Sequence, residues 1–462
     1  MHHSRGRATG PGTRGSTVNR IRRTTALVAV VVLSAVALTA ASADDRTPAT
    51  SDPEVRRPMV FVHGFTGSGA QFQTQALRFV SNGYPAEHID VLEYDSLFGE
   101  ETREQVFDRL ERRVGELLEA SGADRVDLLG HSLGTSMVQE YLNSDPGRAA
   151  DVAHYVNLDG ASADAPPGGV PTLAVWGQGD PARQIAGAAN LRFSRQTHTE
   201  VVTSEETFEE IHTFFTGEEP ATTEVVPEDA ERLSLSGRAV LFPQNTGVQG
   251  GTLEIYEVNG ATGARVADEP EATFPLEGDG AWGPFEALPR RNYEFAIVRE
   301  GAATHHLYFE PFLRSDRLVR LLTSVPDGGI GDLIEPGPNH ASLTILRYKE
   351  WWGDQGAGSD ALEINGVNVL NEGNSPMAER NIAVFAFDAG SDGVTDLATP
   401  IPSLAALPFI TGVDVVVPAS EAAAGTISVA ETARGGDRVE LINVPDWVSA
   451  DHRISIQFNE YG

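Results

Sequence analysis

The 462-residue sequence contains no cysteine. That absence excludes disulfides, thiolate metal sites and a cysteine nucleophile, and with them a bacterial lipoprotein anchor, which needs a cysteine at its cleavage point. Positive charge is scarce: 34 Lys and Arg stand against 66 Asp and Glu, a formal net charge of −32. Arg5, Arg7, Arg14, Arg20, Arg22 and Arg23 all fall before Asp44, the first acid, so the remainder is more acidic still. Such a balance argues against nucleic acid and anionic membrane as electrostatic partners and favours solubility. Long apolar runs are scarce too. The clearest, Ala26–Leu38, is shorter than the ~20 residues a membrane-spanning helix requires. Arg22-Arg23 precede it and the small residues Ala41-Ser42-Ala43 follow it, the form of a secretory signal over residues 1–43, with an uncleaved anchor as the alternative. Ile21 and Thr24-Thr25 fit a twin-arginine export signal poorly. Residues 44–57 are polar, contain Pro48 and Pro53, and read as a flexible leader. The expected location is therefore extracellular.

What is present is 40% hydrophobic residues, enough for real cores, on a length that implies two or more domains. The chain is organised around DRVDLLGHSLGTSMVQEYL, residues 124–142. Gly130-His131-Ser132-Leu133-Gly134 is a G-x-S-x-G motif, weak alone but strengthened by its setting. Val126, Leu128 and Leu129 predict a buried strand, and Met137, Val138, Tyr141 and Leu142 repeat at helical spacing. Strand, sharp turn and helix are what a nucleophile elbow needs, with the Ser132 hydroxyl exposed at a helix N-terminus. The alternative is an ordinary turn with a surface serine.

The first domain begins at Pro58, where Met59-Val60-Phe61-Val62 predicts a strand ending in His63-Gly64-Phe65-Thr66-Gly67. A strand ending in His-Gly upstream of the elbow is where the N–H groups of Phe65 and Leu133 would meet a developing oxyanion. His63 itself reads as structural, because the chemistry needs the loop's N–H groups and not this ring. Further strands are expected at 89–94, 152–158, 171–176 and 191–195, with helices around Phe72–Val80, Val106–Leu118 and Phe208–Phe215. Alternating strands and helices predict a mostly parallel sheet with helices on both faces. A serine nucleophile needs a base, and His154, His198 and His212 follow it in this domain. His198 is favoured, since it falls in the loop between the last strand and the last helix. Asp159 and Asp180 both follow strands, precede His198 and adjoin glycine, so each is either the acid or a turn residue.

These motifs resemble the α/β-hydrolases of the lipase and esterase group. The likeness extends over nearly all of the mature sequence to the two-domain lipase type known from Archaeoglobus. It is carried by HGFTGSGAQF, SNGYPAEHID, ASGADRVDLLGHSLGT, APPGGVPTLAVWG, THTEVVTSEETF and PATTEVVPED, then by LTILRYKEWWG, VFAFDAGSDGVTDL and ISIQFNEYG. The resemblance implies a hydrolase domain over 58–217 and, beyond a linker at 218–229, a β domain over 230–462 that contributes to binding lipid. It implies Ser132 as nucleophile, His198 as base, Asp159 as acid with Asp180 as the alternative, and Phe65 and Leu133 as oxyanion donors. One departure stands out. The archaeal type has a long lid insertion where this chain has only Ser96–Gln105. An open site is therefore expected, without lid-based activation and without strong preference for long acyl chains.

From Ala230 to Gly462, short β-rich runs between Gly, Pro, Asn and Asp turns predict an antiparallel sandwich or barrel, divisible into two lobes near Pro326–Pro338. Trp351-Trp352 read as core or interface aromatics in preference to a surface for insoluble substrate. Asp388, Asp392 and Asp396, with Gly390 and Gly393, resemble an oxygen-rich calcium loop, but their spacing departs from the alternate-residue pattern. A turn-rich acidic loop is preferred, and no metal or other cofactor is expected. The sequence thus predicts a secreted carboxylic-ester hydrolase acting on an ester or lipid, with lipid-surface contact through the β domain. A polyester depolymerase or acyltransferase with the same triad, and a non-catalytic lipid- or polymer-binding protein, are the alternatives.

Overall fold

The structure, a computed structural model, describes residues 56–326, 328–459 and 461. The expected signal segment and all but the last two residues of the expected leader lie outside the described residues. Strands β1 (Met59–Val62), β2 (Ile89–Leu92), β3 (Val126–His131), β4 (Val152–Leu158), β5 (Thr172–Trp176) and β6 (Ala189–Arg192) form a six-stranded sheet in the order β2-β1-β3-β4-β5-β6. Every pairing is parallel. The helices of this part of the chain are α1 (Gln73–Ser81), α2 (Arg103–Ser121), α3 (Leu133–Ser144), α4 (Pro146–Ala150), α5 (Glu200–Thr203) and α6 (Glu205–Thr216).

Runs such as Met-Val-Phe-Val in β1 carry no polar alternation, because both faces of this sheet are covered and all four residues are buried. On one face, Leu110, Val114, Val138 and Tyr141 of α2 and α3 pack against Val60, Val62 and Leu128. On the other, Phe79, Phe208, Ile211 and Phe215 of α1 and α6 pack against Met59, Phe61 and Val156. Helix α2 starts where Thr102 and Gln105 close a reciprocal capping box, and it ends at Gly122, whose φ of 71° costs a glycine little.

Beyond α6 the chain is β-rich. An eight-stranded sheet runs, in spatial order, Ala272–Leu276, Gly251–Val258, Asn292–Arg299, Thr304–Phe309, His452–Gln457, Leu343–Leu346, Ala383–Phe387 and Ile410–Asp414. A sheet containing Ala281–Ala287, Leu233–Leu241 and Asp316–Thr323 shares a core with its first half around Leu235, Leu253, Phe295 and Leu321. Another, containing Ala361–Ile364, Thr426–Thr432 and Glu440–Pro445, shares a core with its second half around Ile345, Trp351, Val384 and Val429. The two sandwiches therefore share one sheet. The expected antiparallel pattern is broken in several places: Asp316–Thr323 is parallel to Leu233–Leu241, Ile410–Asp414 is parallel to Ala383–Phe387, and the last strand, His452–Gln457, lies between Thr304–Phe309 and Leu343–Leu346 and is parallel to both. Its placement gives hydrogen-bond partners to two strands that would otherwise be edges. Trp351 is fully buried in the second core, as read from the sequence, with the Arg347 guanidinium 3.7 Å over its ring.

The sheets are also tied by a buried histidine. His305 Nδ1 meets Thr323 Oγ1 and its Nε2 meets Ser455 Oγ, both at 2.8 Å. Burial, helped by the neighbouring His306, lowers its pKa to about 3. The unfolded chain takes up a proton near pH 6.5, whereas the native imidazole stays neutral until about pH 3. This group's stabilisation is therefore complete above pH 6.5 and is lost as pH falls toward 3. Unfolding free energies from urea titrations between pH 7 and pH 4 should fall less steeply for His305→Gln than for the parent, by up to about 1.4 kcal/mol per pH unit. Equal slopes would contradict the neutral buried state.

Candidate active site

The turn after β3 sets the geometry. Ser132 has φ 53° and ψ −120°, a left-handed conformation costing a non-glycine residue about 1–3 kcal/mol. It is held by its own N–H donating to Leu158 O at 3.0 Å and by its carbonyl accepting from Thr135 N at 3.1 Å and Thr135 Oγ1 at 2.6 Å. The glycines of the motif are there for space. A Cβ on Gly134 would lie 2.2 Å from Val62 O, and one on Gly130 would lie 2.8 Å from Gly134 O. Gly64 brings the loop after β1 onto the serine: a Cβ there would lie 2.8 Å from Ser132 Cβ.

Among the described residues, neither the Phe65 N–H nor the Leu133 N–H donates to a protein acceptor. Leu133 opens α3, so its N–H sits at the positive end of a helix. The loop carrying Phe65 is braced by Thr66 N–H donating to Ser96 Oγ at 2.8 Å and by Asn245 Nδ2 donating to Gly67 O at 2.7 Å. His63 is buried, stacks on Tyr94 with ring centres 4.3 Å apart, and contacts Gly64 O through Nδ1 at 2.9 Å. Burial lowers its pKa, so the ring is a neutral structural element, in line with its sequence reading.

His198 follows β6 in the loop before α5. Its Nδ1 meets Asp159 Oδ2 at 2.6 Å, which leaves Nε2 as the basic nitrogen. Asp159 also accepts from Gly177 N at 2.8 Å and Arg183 Nη2 at 2.7 Å. Burial pushes its carboxyl up, but the His198 hydrogen bond and charge, with Arg183 and the Gly177 N–H, outweigh burial and bring its pKa to about 2. It is thus an anion at neutral pH. Asp180, the other sequence candidate, is exposed, and its carboxylate accepts the Ala182 N–H at 2.8 Å. The turn-residue reading fits Asp180, and the structure brings Asp159, not Asp180, to His198. His154 pairs with Asp127 at 2.9 Å and His212 with Glu218 O at 3.0 Å, both away from this group.

Ser132 and His198 line one cavity of about 380 Å³. Its walls come from both parts of the chain. Gly64–Ser68 and Leu97 belong to the sheet domain, whereas Phe242, Leu307, Ile330, Leu346, Phe385 and Phe409 belong to the β-rich region. Phe409 stacks near-parallel on His198, with ring centres 6.2 Å apart. The walls of the cavity bear on the expectation of a lidless site. Ser96–Gln105 builds no helical lid, but β-rich residues far along the chain wall the cavity instead.

Several contributors were not legible in the sequence. His131 Nε2 donates to His198 O at 2.9 Å, while its Nδ1 accepts from Gln71 at 3.0 Å; burial lowers its pKa to about 3 and keeps it neutral. Thr135 Oγ1 accepts Ala161 N–H at 2.7 Å, and a Cβ on Gly160 would fall 1.9 Å from that oxygen. The calcium candidates are engaged by backbone: Asp388 by Gly393 N, Asp392 by Val394 N and Asp396 by Ala398 N. Among the described residues no group of three or more His, Cys, Asp or Glu is arranged to hold a metal ion.

Comparison with known proteins covers the chain in three stretches. Residues 64–168, which contain Ser132 and Asp159, match the family model for lecithin:cholesterol acyltransferase. Residues 231–326 match the lipase C-terminal domain, and residues 329–462 match a second model described as a C-terminal domain. Among solved structures, a gene product of Listeria innocua is similar over 36% of this chain and 97% of its own, at 12% identity and a TM-score of 0.28. Lipase B of Aspergillus fumigatus is similar over 36% of this chain and 54% of its own, at 13% identity and a TM-score of 0.28. With a strained serine at a strand–helix turn of a parallel sheet and a matched lipase C-terminal domain after it, the chain has the α/β-hydrolase fold followed by a β-rich C-terminal region and is similar to lipase-like hydrolases.

Proposed function

We propose that the protein is a secreted serine carboxylic-ester hydrolase that cleaves acyl esters through Ser132, His198 and Asp159. The observation that carries this reading is the 2.6 Å contact of His198 Nδ1 with the buried Asp159 carboxylate, on the cavity that Ser132 also lines. Asp159 holds the tautomer in which Nε2 is free to take the Ser132 proton. Ser132 then attacks the ester carbonyl, and the N–H groups of Phe65 and Leu133 receive the oxyanion. Each such donor is typically worth about 10²–10³ in rate. His198 protonates the leaving alcohol, and water repeats the sequence to release the acid. No cofactor takes part in these steps. The apolar wall supplied by Phe242, Leu307, Leu346, Phe385 and Phe409 supports an acyl chain as occupant, so the reading moves from short-chain esterase toward lipase. The two-domain Archaeoglobus-type likeness, extracellular location and lipid-surface contact through the β region belong to the same proposal.

A second reading is acyl transfer to an alcohol other than water, with the same triad. The acyltransferase match over residues 64–168 favours it. Product analysis with a sterol or long-chain alcohol present distinguishes the two.

Two outcomes are expected. Ser132→Ala should abolish p-nitrophenyl ester hydrolysis and fluorophosphonate labelling; Asp159→Asn should lower kcat by on the order of 10⁴, and Asp180→Asn should cost little. Comparable mild losses in both aspartate variants would remove the single-acid assignment, and an unlabelled parent enzyme would leave only the binding-protein reading. Initial rates against p-nitrophenyl esters of rising length should hold from short to long acyl chains. A steep fall beyond short chains would show that the cavity is not an acyl site.

A further inference from the structure

The loop that carries His198 is held from outside the parallel sheet. Glu350, in the β-rich region, is fully buried. Its Oε1 accepts the Thr199 N–H at 2.6 Å, and its Oε2 accepts the Glu200 N–H at 3.2 Å and the Thr197 hydroxyl. The residues flanking His198 on both sides are therefore bound to one carboxylate. From the opposite side, His131 donates to the His198 carbonyl at 2.9 Å.

Glu350 is itself held rigidly. Its carbonyl accepts Arg347 Nη2 at 3.0 Å and Arg434 Nη1 at 2.6 Å, and Arg434 reaches Glu200 at 2.7 Å and Asp360 at 3.1 Å. The adjacent Trp351 donates its backbone N–H to Asn381 O at 2.7 Å. Among the described residues, the Glu350 carboxylate oxygens, by contrast, bond to the His198 loop alone. Burying a carboxylate whose oxygens meet N–H and O–H donors in place of a cation is costly, and packing alone would be served better by an apolar side chain. What the carboxylate supplies is geometry: three charge-assisted bonds on a segment that has little regular structure of its own.

We propose that Glu350 is a positioning residue for His198, so that the β-rich region sets the register of imidazole and serine as well as walling the cavity. This rests on the reading of His198 as the base. A misplacement of about 1 Å in such a constellation can cost about 10² in rate.

The test compares Glu350→Gln, Thr197→Val and Arg314→Ala in the full chain. Arg314 joins the two regions elsewhere, through Ser81 Oγ at 2.6 Å and Val80 O at 3.3 Å. Steady-state kinetics on a soluble short-chain p-nitrophenyl ester, the fluorophosphonate labelling rate and Tm are recorded for each. E350Q should lower kcat and the labelling rate together by roughly ten- to a hundredfold with KM unchanged. T197V, which removes one donor to the carboxylate, should lower kcat less, and the double variant should be no worse than E350Q alone. Arg314→Ala should lower Tm and leave kcat at the parent value. If E350Q does not fold, a T197V enzyme with parental kcat overturns the proposal. Parental kcat in E350Q overturns it directly, and so does an equal loss in Arg314→Ala, which would mean that any loosening of the two regions suffices. Activity that survives His198→Ala would refute the base assignment instead, whatever Glu350 does.

Discussion

The constraint on which the site depends is the left-handed backbone at Ser132. A residue with a side chain does not hold φ 53° unless its surroundings enforce it. Here the enforcement is steric and close: β1 and α3 cross so tightly that Gly134 has no room for a Cβ, and Gly64 comes down onto the serine from the next loop. Thr135 then closes the turn from below by bonding both the Ser132 carbonyl and the Ala161 N–H. The same crossing frees the Leu133 N–H at the start of α3. The placement of the Ser132 side chain and of the Leu133 N–H at the head of α3 are thus consequences of one packing event.

Charge inside the molecule is arranged around the histidine loop. Asp159 is kept ionised against its burial by His198, Arg183 and the Gly177 N–H. Glu200, at the start of α5, is also held below the ordinary carboxylate range: burial opposes this, but Arg434 and Lys349 prevail. Arg434 also pairs with Asp360, which Arg347 contacts at 2.8 Å. This chain of ion pairs runs from the loop beside the imidazole into the second β core.

The β-rich region is therefore part of the site in two ways. Its aromatic and aliphatic side chains wall the cavity, and its polar side chains brace both loops that flank Ser132. Asn245 holds the loop of Phe65, and Glu350 holds the loop of His198.

Sequence alone determined what near neighbours decide. The G-x-S-x-G turn, the buried parallel strands, the helical stripes of α2 and α3, and the β-rich character after Gly217 follow from local sterics and hydrophobic period. Strands such as Thr304–Phe309 and Asp316–Thr323 escaped notice because His305, His306 and Arg320 point inward and interrupt the apolar pattern. His198 was legible from its place after the last strand. The residues left the choice between Asp159 and Asp180 open, and only the resemblance leaned to Asp159, because both follow strands and both adjoin glycine. Tertiary structure decided which carboxylate meets the imidazole across 39 residues, and which one reaches the Thr199 N–H across 151. It also decided that the cavity is walled. Those contacts depend on how two separately patterned regions pack, and a pattern of 2 or 3.6 residues carries no information about a partner so distant in the chain.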